Sequence, residues 1–182
     1  IINNGVEEIH YDKRGILWVG YQNNTLTVNL KGSDIFINYN TDLSKFNGKD
    51  LGLAQFIKKV CGFIQGYTHK TIFEDSEGIM WIGSYSGILF KIDIDNYTFD
   101  TFNHDPNDST SIPSGMIVTM SEDSRNNLWL GTWPTGMCRF DKTTGKSKRY
   151  YEKEGGLIDN SVCKIIPDDD GYLWVATKNG VC

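Results

Sequence analysis

One short motif recurs four times along the chain, and each copy is centred on a tryptophan. An aspartate lies six residues before each tryptophan, and a turn-forming glycine or asparagine lies three residues before it. The tryptophans are Trp18, Trp81, Trp129 and Trp174; the aspartates are Asp12, Asp75, Asp123 and Asp168; the turn formers are Gly15, Gly78, Asn126 and Gly171. A regular repeat fixes the architecture before any local pattern does. Positions shared by all copies are expected to build the scaffold, and residues outside the pattern are the candidates for function.

The last two copies show the strand pattern of one repeat. Residues 162–166, 173–176 and 181–182 are short β-rich runs separated by turns of Gly, Asn and Asp, and residues 137–141 and 146–151 supply a third and a fourth strand. Such runs predict antiparallel hairpins. Successive tryptophans are 63, 48 and 45 residues apart, a spacing typical of β-propeller blades.

The sequence therefore predicts an all-β fold, a β-propeller with about four four-stranded antiparallel blades. Their approximate bounds are residues 1–65, 66–112, 113–158 and 159–182, and the last blade is incomplete. In each blade the aspartate is expected to accept backbone N–H groups of the next turn. The tryptophan should fill the gap between stacked sheets. The small residue two positions later (Gly20, Gly83, Gly131 or Ala176) should permit close approach near the propeller centre.

The long first spacing reflects an insertion near residues 41–65. Within it, residues 53–60 form a plausible short helix, with Phe56, Ile57 and Val60 as a packing face. Long loops on a rigid scaffold often carry function. The alternative, an element that caps a gap between blades, is preferred because of this apolar face.

Composition excludes several classes of protein. The net charge is −5 and the Lys and Arg residues are scattered, so nucleic-acid binding is not expected. No apolar run reaches the roughly 20 residues that cross a bilayer. The four cysteines, Cys61, Cys138, Cys163 and Cys182, form no C-x-x-C pair, so a metal site is not expected. We interpret all four as free, mostly buried thiols.

The pattern Asp-x-x-Gly-x-Leu-Trp-Val-Gly, followed by Gly-Ile or Gly-Val, resembles the two-component regulator propeller repeat. The resemblance covers essentially the whole chain and includes the connections at residues 102–112 and 151–162. It implies the periplasmic sensor region of a hybrid two-component system of the Bacteroidetes type. It also implies a larger, seven-bladed propeller, an oligosaccharide ligand, and kinase and membrane segments outside this chain.

Binding sites of propellers usually lie on the face where the loops between strands two and three emerge. Here those loops are residues 21–24, 84–86, 132–135 and 177–179. Trp133 is the one tryptophan outside the repeat register, and aromatic rings stack on sugar rings while polar groups bond the hydroxyls. The alternative, that these side chains cover a neighbouring blade, stays open. The candidate ligand-binding residues are Tyr21, Gln22, Tyr85, Trp133, Lys178 and Asn179.

Two other functions compete with a carbohydrate sensor. Open blade edges would suit a structural or protein-interaction propeller without a small ligand, including a homodimer. A propeller lyase is the least favoured, because His10, His69 and His104 fall at unrelated repeat positions and no Ser-His-Asp order or H-E-x-x-H appears. We predict no catalytic residue, cofactor or metal, and no enzymatic activity in this chain.

Overall fold

The computed structural model describes residues 5–153 and 156–182, and its strands form four antiparallel sheets in chain order. Blade 1 comprises β1 (Val6–Tyr11), β2 (Leu17–Tyr21), β3 (Leu26–Asn29) and β4 (Phe36–Ile37); blade 2 comprises β5 (His69–Glu74), β6 (Met80–Ser84), β7 (Leu89–Asp93) and β8 (Thr98–Phe102); blade 3 comprises β9 (Met116–Glu122), β10 (Leu128–Trp133), β11 (Gly136–Phe140) and β12 (Ser147–Tyr150); blade 4 comprises β13 (Val162–Pro167), β14 (Leu173–Thr177) and β15 (Gly180–Val181). The predicted β-propeller fold is confirmed.

The first strand of each blade lies at the centre of the fold. β1 contacts β5, β5 contacts β9, and β9 contacts β13. We call the end where the β2–β3 type loops emerge the upper face. The lower face is the opposite end, where each first strand turns into the second and each third strand into the fourth. Each first strand also has a register shift near its upper end, so this irregularity is part of the repeat.

The motif aspartates tie each lower turn to its tryptophan. In blade 2, one oxygen of Asp75 accepts the backbone N–H of Ile79 at 2.9 Å, and the other accepts the indole N–H of Trp81 at 2.9 Å. The same pair of bonds recurs in the other three blades, with indole distances between 2.8 and 3.0 Å. Asn126 stands in for the motif glycine with a φ of +60°, a conformation that asparagine tolerates. The structural role predicted for these positions is confirmed.

The first three motif tryptophans point towards the following blade, and each packs in the gap between the two sheets. Trp18 lies in one apolar cluster with Ile72 and Ile82 of blade 2, and Trp129 lies in another with Val162 and Val175 of blade 4. The small residue two positions after each tryptophan allows the sheets to approach closely. A Cβ added at Gly131 would lie 2.5 Å from Thr119 Cγ2 and 2.7 Å from Val162 Cγ1.

The two ends of the row of blades present the apolar faces that the inner blades bury against one another. Trp174 is 56% exposed, whereas Trp18 and Trp81 are 0% exposed. Ile9 of β1 is 60% exposed, whereas Ile72, at the same repeat position in blade 2, is 5% exposed. Blade 4 therefore offers a tryptophan face, and blade 1 offers the face that receives one.

On the lower face, carboxylates of the first strands accept hydrogen bonds from a turn of the preceding blade. We call this contact the carboxylate staple. Glu74 Oε2 accepts the backbone N–H of Lys13 at 2.9 Å, and Glu122 Oε2 accepts that of Ser76 at 2.6 Å. In both cases a turn of one blade donates to the last residue before the motif aspartate of the next blade. Blade 4 has Pro167 at this position, which offers no carboxylate. The staple therefore joins blades 1 and 2 and blades 2 and 3.

The insertion forms a helix that packs against the sheets of blades 1 and 2. A short 3-10 helix at Leu43–Lys45 is followed by α1 (Gly48–Ile64), which extends beyond the predicted residues 53–60 at both ends. Ile57, Val60 and Ile64 are fully buried and share one apolar cluster with the sheets of blades 1 and 2. The predicted packing face is confirmed. The fourth strand of blade 1 is correspondingly reduced to two residues.

Two local predictions were wrong. All four cysteines are free as expected, but Cys163 and Cys182 are exposed and only Cys61 and Cys138 are buried. Cys163 and Cys182 belong to blade 4, and no described residue covers the outward face of that blade. Cys61 and Cys138 are buried, and burial raises the pKa of both thiols to about 12. Trp133 was expected in a loop but is the last residue of β10.

Candidate functional site

The six predicted binding residues all lie on the upper face, at or just after the second strand of each blade. Tyr21 ends β2 and Trp133 ends β10, so these two are strand residues rather than loop residues. Tyr85 follows β6, and Lys178 and Asn179 follow β14. The side chains of Gln22, Lys178 and Asn179 are exposed, and those of Tyr21 and Trp133 are half-buried.

Backbone hydrogen bonds hold the upper loops close to the start of each first strand. The N–H of Gln22 donates to Gly5 O at 3.0 Å, that of Tyr85 to Thr68 O at 2.9 Å, and that of Lys178 to Ser161 O at 2.9 Å. In blade 3 the equivalent link is the strand pairing of Trp133 with Met116. These links repeat in every blade, so the repeated scaffold determines the backbone positions of the upper face.

The side chains beyond these links differ from blade to blade. Tyr85 is 40% exposed and its hydroxyl lies 3.4 Å from Glu7 Oε1, on the inner strand of blade 1. Asn179 Nδ2 donates to Asp159 Oδ2 at 2.7 Å. Hydrogen bonds from Ser161 hold the pKa of Asp159 below its ordinary value, and the charge of Lys178 adds to this effect. Asp159 is therefore a carboxylate on the upper face near neutral pH.

Trp133 differs from the four motif tryptophans. Each of those donates its indole N–H to an aspartate, whereas within residues 5–153 and 156–182 nothing accepts a hydrogen bond from the indole of Trp133. Its neighbour Pro134 is exposed, and the peptide bond between them is cis. Trp133 thus presents part of an aromatic ring at the upper face, together with an indole N–H that no described residue accepts.

Sequence reasoning missed the acidic residues that accompany these loops. Glu7 is the second residue of β1 and Asp159 lies three residues before β13, and neither belongs to a recognisable sequence pattern. The signal that could have found them is positional, because residues just before a first strand lie beside the upper loops in every blade. Together the upper face offers aromatic rings, carboxylates, an amide and an ammonium group. This set can stack on and hydrogen-bond a neutral or polar ligand.

The histidines lie in three separate environments. His10 Nε2 is 3.8 Å from Glu74 Oε2, near the lower face, and His104 Nδ1 is 3.0 Å from Ile112 O in the connection that follows blade 2. The side chain of His69 is outside the described residues. In the part of the chain that is described, no three His, Cys, Asp or Glu residues are grouped as a metal site would require. No described helix is long and apolar enough to cross a membrane.

The repeats match a known family model. Residues 62–86, 111–133 and 156–179 match the model described as two component regulator propeller. Histidine kinase P4 of Formosa agariphila is 28% identical over 106 residues, which are 56% of this chain and 8% of that protein. The chain thus spans less than a tenth of that curated relative.

Solved structures share the fold. The extracellular domains of two putative hybrid two-component systems from B. thetaiotaomicron each align with a TM-score of 0.69 and 18% identity, over 100% and 99% of this chain and 21% of each of those chains. At this identity the likeness establishes the propeller architecture alone. This chain spans about a fifth of those structures.

Proposed function

We propose, from the premise that the chain belongs to the two-component regulator propeller family, that it forms part of the extracytoplasmic sensor region of a hybrid two-component protein. In this role the propeller recognises a ligand outside the cytoplasm and performs no catalysis itself. Any kinase activity resides in other parts of the protein. The names of the relatives, a histidine kinase and extracellular domains of hybrid systems, support the proposal.

The ligand we propose is an oligosaccharide bound at the upper face. The observation that carries this proposal is Trp133, a half-buried tryptophan outside the repeat whose indole N–H has no acceptor among the described residues. Tyr21 and Tyr85 bring two further rings to the same face, and Gln22, Lys178 and Asn179 bring hydrogen-bonding groups. Rigid aromatic faces with a few polar groups are the usual composition of small-ligand sites.

Isothermal titration with a panel of glycan oligosaccharides tests this proposal. We expect saturable binding of at least one saccharide and a loss of roughly tenfold or more in affinity for Trp133→Ala, because stacking on a large ring is removed. The urea midpoint of Trp133→Ala should stay close to that of the unmodified chain, since this side chain is only half-buried.

Trp174→Ala is the matched control for this titration. Trp174 is also an exposed tryptophan, but it lies on the outward face of blade 4 and away from the upper loops. Its removal should leave the affinity unchanged. Absence of binding across a broad panel, or an equal loss of affinity in both variants, would contradict the oligosaccharide proposal.

A protein-interaction role is the second candidate, and the exposed end faces favour it. Ile9 and Trp174 occupy positions that the inner blades bury. One end face therefore presents a tryptophan, and the other presents the apolar surface on which such a tryptophan packs. Further blades of a seven-bladed propeller would cover them, and so would a second copy of the chain. Sedimentation velocity over a range of concentrations separates these alternatives. A dimer whose formation is abolished by Trp174→Asp would support self-association, and a monomer at all concentrations would exclude it.

A further inference from the structure

A cavity of about 790 Å³ opens on the lower side of the molecule, between blades 2 and 3. Blade 2 contributes Lys91 of β7, and blade 3 contributes Arg139 of β11 and Lys146 and Lys148 in or near β12. We call these four residues and the cavity they line the basic groove. It lies at the opposite end of the blades from the candidate site on the upper face.

The whole chain has a net negative charge, but the residues that line this cavity have a net positive charge. Six of the 18 Lys and Arg residues line it, against three of the 23 Asp and Glu residues. The acids are already engaged: Asp75 and Glu77 lie 3.0 and 3.3 Å from Lys142 Nζ, and Asp141 accepts backbone N–H groups of the turn that follows it. Among the residues that the structure describes, Lys142 is the only one of the six cations within 4.0 Å of a carboxylate oxygen.

Blade stacking does not require the cations of the basic groove. Lys91 and Arg139 pair across the strands with Trp81 and Trp129, and the residue paired with Trp18 in the same way is Val28, which is fully buried. An apolar residue therefore serves the scaffold at this repeat position. Arg125, which also lines the cavity, stands where Arg14 stands in blade 1. Arg14 donates to Asp95 of the next blade at 2.6 Å, so this repeat position serves blade stacking in blade 1 and Arg125 is not counted in the basic groove.

The basic groove shares lining residues with a second, smaller cavity. A second cavity of about 120 Å³ lies between blades 3 and 4, and Arg139 lines both cavities. Lys146 and Lys148 are exposed beside it, and Lys91 Nζ lies 5.8 Å from the ring centre of Trp81. Several cations that line one open cavity suit a ligand with several anionic groups, since each group can form its own charge-assisted hydrogen bond.

We infer that the basic groove is a second binding site, and that it takes an acidic oligosaccharide carrying carboxylate or sulfate groups. The anionic character of the ligand follows from the groove alone. Its saccharide nature rests on the proposed function.

Titration calorimetry of the full chain with four probes tests this inference. The probes are a hexagalacturonate, a sulfated carrageenan hexasaccharide, neutral xylohexaose and hexaglutamate. We expect the two acidic saccharides to bind, with affinity that falls as salt is raised. The variant Lys91→Gln/Arg139→Gln should lose roughly tenfold or more of that affinity, because two charged contacts are removed. Preference between the first two probes distinguishes carboxylate from sulfate.

Two control variants make the result interpretable. Lys31→Gln/Lys45→Gln removes the same charge from exposed positions of blade 1 and should bind like the unmodified chain. Lys91→Arg/Arg139→Lys keeps both charges and should retain most of the affinity, which separates loss of charge from loss of folding. Equal binding by the Gln variant of the groove, or hexaglutamate binding as tightly as the acidic saccharides, would overturn the inference. Failure of this inference alone would leave the Trp133-dependent binding at the upper face intact.

Discussion

Replacing Trp81 by alanine is expected to lower the free energy of unfolding by about 3–5 kcal/mol, the usual cost of removing a fully buried large aromatic side chain. Trp81 is 0% exposed and meets Phe140 edge-on, with ring centres 5.7 Å apart. Its loss also leaves Asp75, which is 0% exposed, without the indole donor at 2.9 Å. Urea denaturation followed by circular dichroism measures the effect.

Trp174→Ala is the control for this prediction, because the motif and the hydrogen bond are the same. Trp174 donates to Asp168 at 3.0 Å but is 56% exposed. We expect a loss of about 1 kcal/mol or less, in the range of surface substitutions that remove one exposed hydrogen bond. Similar losses in the two variants would mean that the Asp–Trp bond, rather than burial between blades, stabilises the repeat.

Replacing Lys142 by methionine is the second change with a large expected effect. Its ammonium group lies 3.0 Å from Asp75 Oδ2 and 2.7 Å from Glu122 Oε1, in a site where all three side chains are at most 10% exposed. Removal of the cation leaves two uncompensated carboxylates in one buried site. Breaking a buried ion pair on one side costs about 3–5 kcal/mol, and the urea midpoint should fall accordingly.

The pH dependence gives an independent test of the same cluster. Burial alone would lower the pKa of Lys142, but the hydrogen bonds and charges of Glu122 and Asp75 outweigh it and raise this pKa to about 12, against an ordinary value of 10.5. A pKa that is higher in the folded state stabilises the fold below pH 10.5, and this contribution disappears as the pH rises to about 12. The unmodified chain should therefore lose stability over this interval, and Lys142→Met should lack this component of the loss.

Lys146→Met is the control for the lysine cluster. Lys146 lies four residues away, is exposed, and has no carboxylate in salt-bridge range among the described residues. Its replacement should change stability by less than about 0.5 kcal/mol. An equal loss of stability in both variants would show that the general charge of this region, rather than the buried cluster, matters.

The repeat register was sufficient to predict the parts of the fold that depend on local sequence. The turn chemistry of Asp75 and Gly78, the placement of Trp81 between sheets and the tight contact at Gly131 all follow from positions that recur in every copy. Each relies on residues within about ten positions along the chain or on the same position in the next blade. A periodic pattern contains this information explicitly.

Features that join one blade to the next by unlike residues could not be predicted. Lys142 reaches Asp75 across 67 positions, and Glu122 reaches Ser76 across 46. The Glu122–Ser76 bond recurs as Glu74–Lys13 at the same repeat positions, but its donor is a backbone N–H, which leaves no signature in the residue types. Lys91 and Arg139 share a repeat position, but only the packing of blade 2 against blade 3 brings them to one cavity, and the sequence does not show that cavity. Trp133 was identified because it breaks the register, although its assignment to a loop was wrong.

The carboxylate staple has a consequence for how the molecule loses its structure. Because the main contacts of each described blade are with its neighbours along the chain, cooperativity in this fold depends on separate nearest-neighbour couplings. Glu74 and Glu122 strengthen the first two couplings, whereas Pro167 offers no carboxylate to the third. That junction has apolar packing and hydrogen bonds from Ser121 Oγ to Ile165 O and from Gly136 N–H to Asn160 O. Of the two end blades, blade 4 is the one that lacks the carboxylate staple, so we expect it to open before blade 1 when the chain unfolds.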